Sequence, residues 1–199
     1  MNREQFLRDY WAYYLMLEEK FIHTLNYVAL SADNAMAYSN EYAGLIQMIG
    51  AELDSFFKVF CSSSAAERIT QYYRAVIADY PDILNQEVQI LMNGMVIKPF
   101  YSWNNDQPGQ SLFWWHAFTN IKHGRVANIK DGCQRNVLYV LAALFLLEMK
   151  YLQNITVNTD ERDIPDKQSD LFRILGWNFR YSSCSGFYAK KLVDFEERE

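Results

Sequence analysis

The run Val137–Leu147, VLYVLAALFLL, constrains this chain more than any other segment. Every residue in it is apolar or aromatic, and a helix that is apolar on all sides must be surrounded by other elements. Glu148 and Lys150 close it, well short of the ~20 apolar residues that a bilayer requires. The run therefore predicts a buried core helix from about Asn136 to Leu152 and no membrane span. A chain of 199 residues, 50% hydrophobic and 22% charged, can enclose that helix as one globular domain. The aromatic share of 16% reads as bulky packing between helices in preference to a base-stacking surface.

Further helices follow from periodicity. Leu7, Tyr10, Tyr14, Leu17, Phe21 and Val28 recur at three-to-four-residue steps and their multiples, with Glu18, Glu19 and Lys20 between them, which predicts a long amphipathic helix from Gln5 to about Leu30. After the polar break SADNAMAYSN, Ser39 is placed to cap a second helix whose apolar face is Tyr42, Leu45, Ile46, Ile49, Leu53, Phe56, Phe57 and Phe60. Ser64 and Glu67 stand in capping-box register before a third helix reaching about Ala78, with Pro81 just beyond.

The pattern changes over residues 87–100. Asn93-Gly94 lies between two arms rich in β-branched and aliphatic residues, which predicts a small hairpin. A lone hairpin is marginal in water, so its apolar side must pack on the helices or on a partner. The segment YSWNNDQPGQ reads as a loop broken by Pro108-Gly109. The charged stretch NTDERDIPDKQSD and the apolar segments after it, residues 158–199, read as a C-terminal wrap onto the bundle. No internal repeat or composition shift divides residues 1–199 into two domains.

Composition and motifs exclude much. A net charge of −5 argues against coating nucleic acid or anionic membrane by long-range attraction, while leaving room for a local basic patch. Cys61, Cys133 and Cys184 are widely spaced and form no zinc-ligand pattern. The N-terminal MNREQFLRDYW lacks the apolar core of a secretory signal, so a reducing, cytoplasmic setting is expected. No P-loop, dinucleotide-binding, zincin or nucleophile-elbow motif occurs. Glu52 and Asp54 point in different directions on a helix, and Asp160, Glu161 and Asp163 read as a solvated run. Neither a metal site nor a cofactor is expected.

One segment gathers chemistry: FWWHAFTNIKHGR, residues 113–125. At helical spacing His116, Asn120 and His123 share one face, and Lys122, Gly124 and Arg125 fall where the helix would stop. An imidazole can deprotonate a ribose 2′-hydroxyl or protonate a leaving oxygen, and fixed cations stabilise charge growing on phosphoryl oxygens, with no metal required. The plainer reading is a helix stop whose cations meet the negative end of the helix dipole. For His116, flanked by Trp115 and Phe118, the plainer reading is a packed core histidine. His23 has no partner at ligand spacing. An exposed apolar patch around Met92, Met95 and Val96 would point instead to a scaffold component.

Trp114-Trp115, Phe118, Asn120 and Lys122-His123-x-Arg125, followed by LYVLAALFLL, resemble the WxxYNxxKHxR segment of bacterial HEPN-like proteins. The two N-terminal helices, YWAYYLMLEEKFIHTLNYV and YSNEYAGLIQMIGAELDSFFKVF, are similar to that group as well, so the resemblance runs from about Tyr10 to Leu152. It implies an up-and-down bundle of four or five helices, commonly homodimeric, with the His-bearing helices meeting near the dimer axis. Many such proteins are metal-independent endoribonucleases of phage defence or toxin–antitoxin systems, which implies RNA or a nucleotide as ligand and a cognate antitoxin or defence partner. The family pairs its His with an Arg a short way upstream. This chain holds His116, Ala117 and Phe118 there, so only His123 carries over. The expected roles are His123 as general acid or base, Arg125 and Lys122 as charge stabilisers, Asn120 as an orienting partner and His116 as a substrate contact. The alternative is a noncatalytic module that binds a nucleotide or a protein.

Overall fold

The computed structural model describes residues 1–61 and 68–177, together with the backbone of 179–181 and 190–192. It is mainly helical, with a small antiparallel sheet. The helices are α1 (Arg3–Phe6), α2 (Ala12–Thr24), α3 (Asn40–Phe60), α4 (Ile69–Asp79), α5 (Pro108–Ser111), α6 (Phe113–Gly124) and α7 (Gln134–Thr156). α7 is the central element, packed against α3, α6 and α2, and every residue from Val140 to Lys150 on it is buried. It is also the one described helix long and apolar enough to cross a membrane, and 72% of its most apolar window is buried inside the fold.

Ser39 caps α3 as expected, its hydroxyl accepting from the Tyr42 amide at 3.0 Å. Tyr42, Leu45, Ile46, Ile49, Leu53, Phe56 and Phe57 are buried beneath it, and Phe60 is half-buried. Gly50 permits close packing here, because a Cβ on it would stand 2.4 Å from the Phe118 ring of α6. α4 starts at Ile69, and the proposed Ser64–Glu67 capping box lies outside the described residues.

The first helix differs from its periodic pattern in two ways. α1 and α2 are joined through a π-helical turn, Leu7–Trp11, and helix ends at Thr24 rather than near Leu30. Glu18, read as part of the polar face, is buried at 2% exposure. It accepts hydrogen bonds from the Tyr14 hydroxyl at 2.5 Å, from the Ser169 hydroxyl, and from the Asp170 and Leu171 amides at 2.9 and 3.4 Å. Residues 162–171 are thus fixed along α1, the π-helical turn and α2. Arg3 donates to the Arg162 and Ile164 carbonyls, both at 2.9 Å, and Trp11 Nε1 donates to the Lys167 carbonyl at 2.7 Å. Asp160 and Glu161 are solvated, but Asp163 is buried, so the expected solvated run is corrected at that residue.

The hairpin forms from β1 (Val88–Ile90) and β2 (Val96–Ile97). Asn93-Gly94 is not its two-residue turn, however. Residues 91–94 form the loop, with Gly94 at φ +73° donating its amide to the Ile90 carbonyl at 2.9 Å. The pair is stabilised by a strand from the tail, β3 (Phe172–Ile174), which gives the order β2-β1-β3. A second ladder joins β4 (Phe179–Tyr181) to β5 (Lys190–Leu192).

Among the described residues, a buried carboxyl on the central helix lacks compensation at both oxygens. Glu148 on α7 is fully buried, and neither of its carboxyl oxygens has a hydrogen-bond partner. Burial, and secondarily the carboxylate of Glu52, hold its pKa well above the usual carboxylate range.

Candidate functional site

α6 begins after the short helix that Pro108 starts, and its N-terminal half is anchored by Trp114, whose Nε1 donates to the Pro99 carbonyl at 2.7 Å. Trp114, Trp115, Ala117, Phe118 and Ile121 are buried, which turns the opposite face outward. His116 lies on that outward face and is exposed, contrary to the core reading of its neighbours. The error has a simple cause: the aromatic residues beside it in sequence project from the other side of the helix. Asn120 and His123 follow on the same face, half-buried and exposed.

Asp131, in the 3-10 turn Ile129–Asp131, completes the cluster and was invisible as a member from spacing alone. Asn120 Nδ2 donates to Asp131 Oδ2 at 2.8 Å. That bond fixes the amide, and the same nitrogen stands 3.4 Å from His116 Nδ1. An amide presenting N–H matches the His116 tautomer with a bare Nδ1 and a proton on Nε2. In that tautomer the Nε2–H is the donor that the exposed His116 ring presents away from Asn120. Asp131 is itself held in place, because Asn136 Nδ2 donates to its carbonyl at 2.8 Å.

The end of α6 is built by side chains rather than by a left-handed glycine. Asn128 Nδ2 donates to the Asn120 and Gly124 carbonyls at 3.1 and 2.9 Å, so it caps the last turn. Gly124 leaves room for that amide, since a Cβ there would stand 3.2 Å from Asn128 Nδ2. Arg125 is exposed and donates from Nη1 to Asn40 Oδ1 at 2.8 Å, tying the corner to the first residue of α3. Lys122 lies 5.6 Å from the Phe118 ring centroid and belongs to a different stripe of the helix from His116 and Asn120. The structure thus brings His116 and Asn120 together, keeps His123 on their face, and sends Lys122 and Arg125 to separate anchors.

Arg135 is a further cation that sequence spacing did not single out. Its Cζ lies 4.8 Å from the centroid of the Phe113 ring, at the other end of the same outward face. Residues 113–135 carry Lys122, Arg125, Lys130 and Arg135 against Asp131 alone, a local charge of +3 in a chain of net −5. All four cations are exposed. Among the described residues no group of three or more His, Cys, Asp or Glu side chains is placed to hold a metal ion. Compared with models of known families, with curated proteins and with solved structures, the chain matches none.

Proposed function

We propose that this protein is a HEPN-like helical protein that binds RNA along the outward face of α6 and cleaves it by attack of the ribose 2′-hydroxyl. The observation that carries the reading is the placement of His116, Asn120 and His123 on one outward face within a stretch of +3 local charge in an acidic chain. Phosphate is drawn to that local charge even though the whole protein is anionic. His123, exposed at the last turn of α6, is the general acid or base. His116, with its proton on Nε2, donates to a phosphoryl oxygen, and Lys122 and Arg125, anchored apart from that face, add to the positive field that draws the phosphates. Asn120 orients His116, and Asp131 orients Asn120. A second copy bringing its own α6 alongside would complete a shared cleft.

The test is cleavage of a mixed end-labelled RNA pool in excess EDTA. Wild-type protein should leave 2′,3′-cyclic phosphate ends. His123→Ala should lose activity by about 100-fold or more, the size of a general acid–base contribution, and should melt like wild type because the side chain is exposed. Cleavage that survives His123→Ala unchanged would remove that residue from the chemistry.

A noncatalytic, protein-docking role is the second reading, favoured by the hairpin tip. Leu91, Met92, Met95 and Val96 are 47%, 57%, 40% and 45% exposed and form an apolar hairpin tip.

A further inference from the structure

The start of α6 carries a set of groups that acid–base chemistry leaves unused. Arg135 lies over the face of Phe113, and Phe113 meets Tyr139 edge-on, with ring centroids 4.8 Å apart and planes at 65°. The segment carrying Tyr101 is set against the start of α6, because Trp114 Nε1 donates to the Pro99 carbonyl at 2.7 Å and the Phe100 and Trp114 rings meet edge-on with centroids 5.7 Å apart. The pKa of the Tyr139 hydroxyl is raised by burial first and next by Tyr101, while Arg135 lowers it. Tyr101 is 57% exposed, Arg135 is exposed, and Phe113 and Tyr139 are only half-buried. Helical spacing puts Phe113 one turn before His116 on the same face. Trp114, Trp115 and Phe118 of α6 and Tyr42, Phe56 and Phe57 of α3 are sealed in the core. Here aromatic rings surface beside a guanidinium, next to the stretch of +3 local charge.

We propose that Tyr101, Phe113, Tyr139 and Arg135 form a stacking platform for one unpaired nucleobase, whose own phosphate then lies toward His116 and Asn120. The proposal rests on the RNA reading of α6 and narrows it to single-stranded substrate. A nucleotide fits this surface on two counts: its base has a π-face for Tyr101 and for the planar guanidinium, and its phosphate is drawn by the local cations. A duplex offers no free base face here. An apolar peptide segment would gain nothing from a charged platform.

The experiment is a fluorescence anisotropy titration of a fluorescein-labelled oligouridylate, repeated at several salt concentrations. Tyr101→Ala should weaken binding by about tenfold, the loss of one stacked base, while Tyr101→Phe should restore it because the ring face remains. Arg135→Lys should weaken binding while preserving the salt dependence, since charge is kept and the planar stack is lost. All three side-chain changes are at surface positions, so unchanged melting temperatures are expected. As a second readout, a 4-thiouridine oligomer photo-crosslinked to wild-type protein should label peptides containing Tyr101 or Tyr139. Wild-type binding with Tyr101→Ala and Arg135→Lys both unaltered would overturn the platform and leave the RNA reading standing. Absence of RNA binding by the wild-type protein would overturn both.

Discussion

Glu18→Ala is expected to lower stability by about 3 kcal/mol or more, because it removes one buried carboxylate that accepts from four donors. Those donors are the Tyr14 and Ser169 hydroxyls and the Asp170 and Leu171 amides. Tyr14, Ser169 and Leu171 are themselves buried, so three of the four donors cannot turn to water without moving the chain. The consequence extends past α2. The Leu171 carbonyl accepts from the Leu91 amide at 2.9 Å, and Phe172 opens β3, so the node aligns the tail strand on β1. Hydrogen exchange should therefore speed up at the Leu91, Leu171 and Phe172 amides before it does in α7. Glu18→Gln keeps one acceptor oxygen and should lose clearly less. A Glu18→Ala variant that melts within 1 kcal/mol of wild type (about the net contribution of one hydrogen bond) would show that the tail is held elsewhere.

Glu148→Gln works in the opposite direction. Glu148 is fully buried with both oxygens unpartnered, and the carboxylate of Glu52 adds to burial in raising its pKa. It also raises the Tyr10 and Tyr14 hydroxyls, as a negative group would, although burial dominates both shifts. The folded state holds the Glu148 proton through a pH range in which the unfolded chain has released it. With the native state binding more protons than the unfolded one, stability falls as pH rises from the ordinary carboxylate range toward the elevated native value. The slope is at most about 1.4 kcal/mol per pH unit for a single group. Glutamine cannot ionise, so Glu148→Gln should be more stable than wild type, with a margin that grows with pH. Urea unfolding at about pH 5 and about pH 8 measures that margin directly. Equal margins at the two pH values would mean that Glu148 is not the buried acid described.

The helices were legible because their evidence is local. α3 announces itself through a 3.6-residue apolar face and the Ser39 cap, and α7 through its unbroken apolar run, both found where the pattern placed them. The hairpin was legible as an element, but its turn was not: Gly94 takes the left-handed position of a four-residue loop, which the Asn-Gly pair alone does not distinguish from a tighter turn. What the sequence withheld was non-local. Nothing near Phe172 announces that it pairs with Ile90, and nothing near Glu18 announces that Ser169 to Leu171 will close over it. At the candidate site the i, i+4 relation of His116 and Asn120 was readable, whereas Asp131 arrives through a turn after the helix and Arg135 through the start of the next one. His116 is exposed although its sequence neighbours Trp115 and Ala117 are buried, because a residue one step along a helix projects about 100° away.

The outward face of α6 as the place where RNA acts is tested most directly by following the three imidazoles of the chain in 15N–1H spectra during titration with a short RNA. His23 is an internal control, exposed on α2 with its ring 5.7 Å from that of Tyr27 and outside the α6 cluster. The His116 and His123 ring signals should move together and saturate, while those of His23 stay fixed, and His116 should report a proton on Nε2 at the outset. Movement of none of the three, or of His23 alone, would contradict an RNA site on α6.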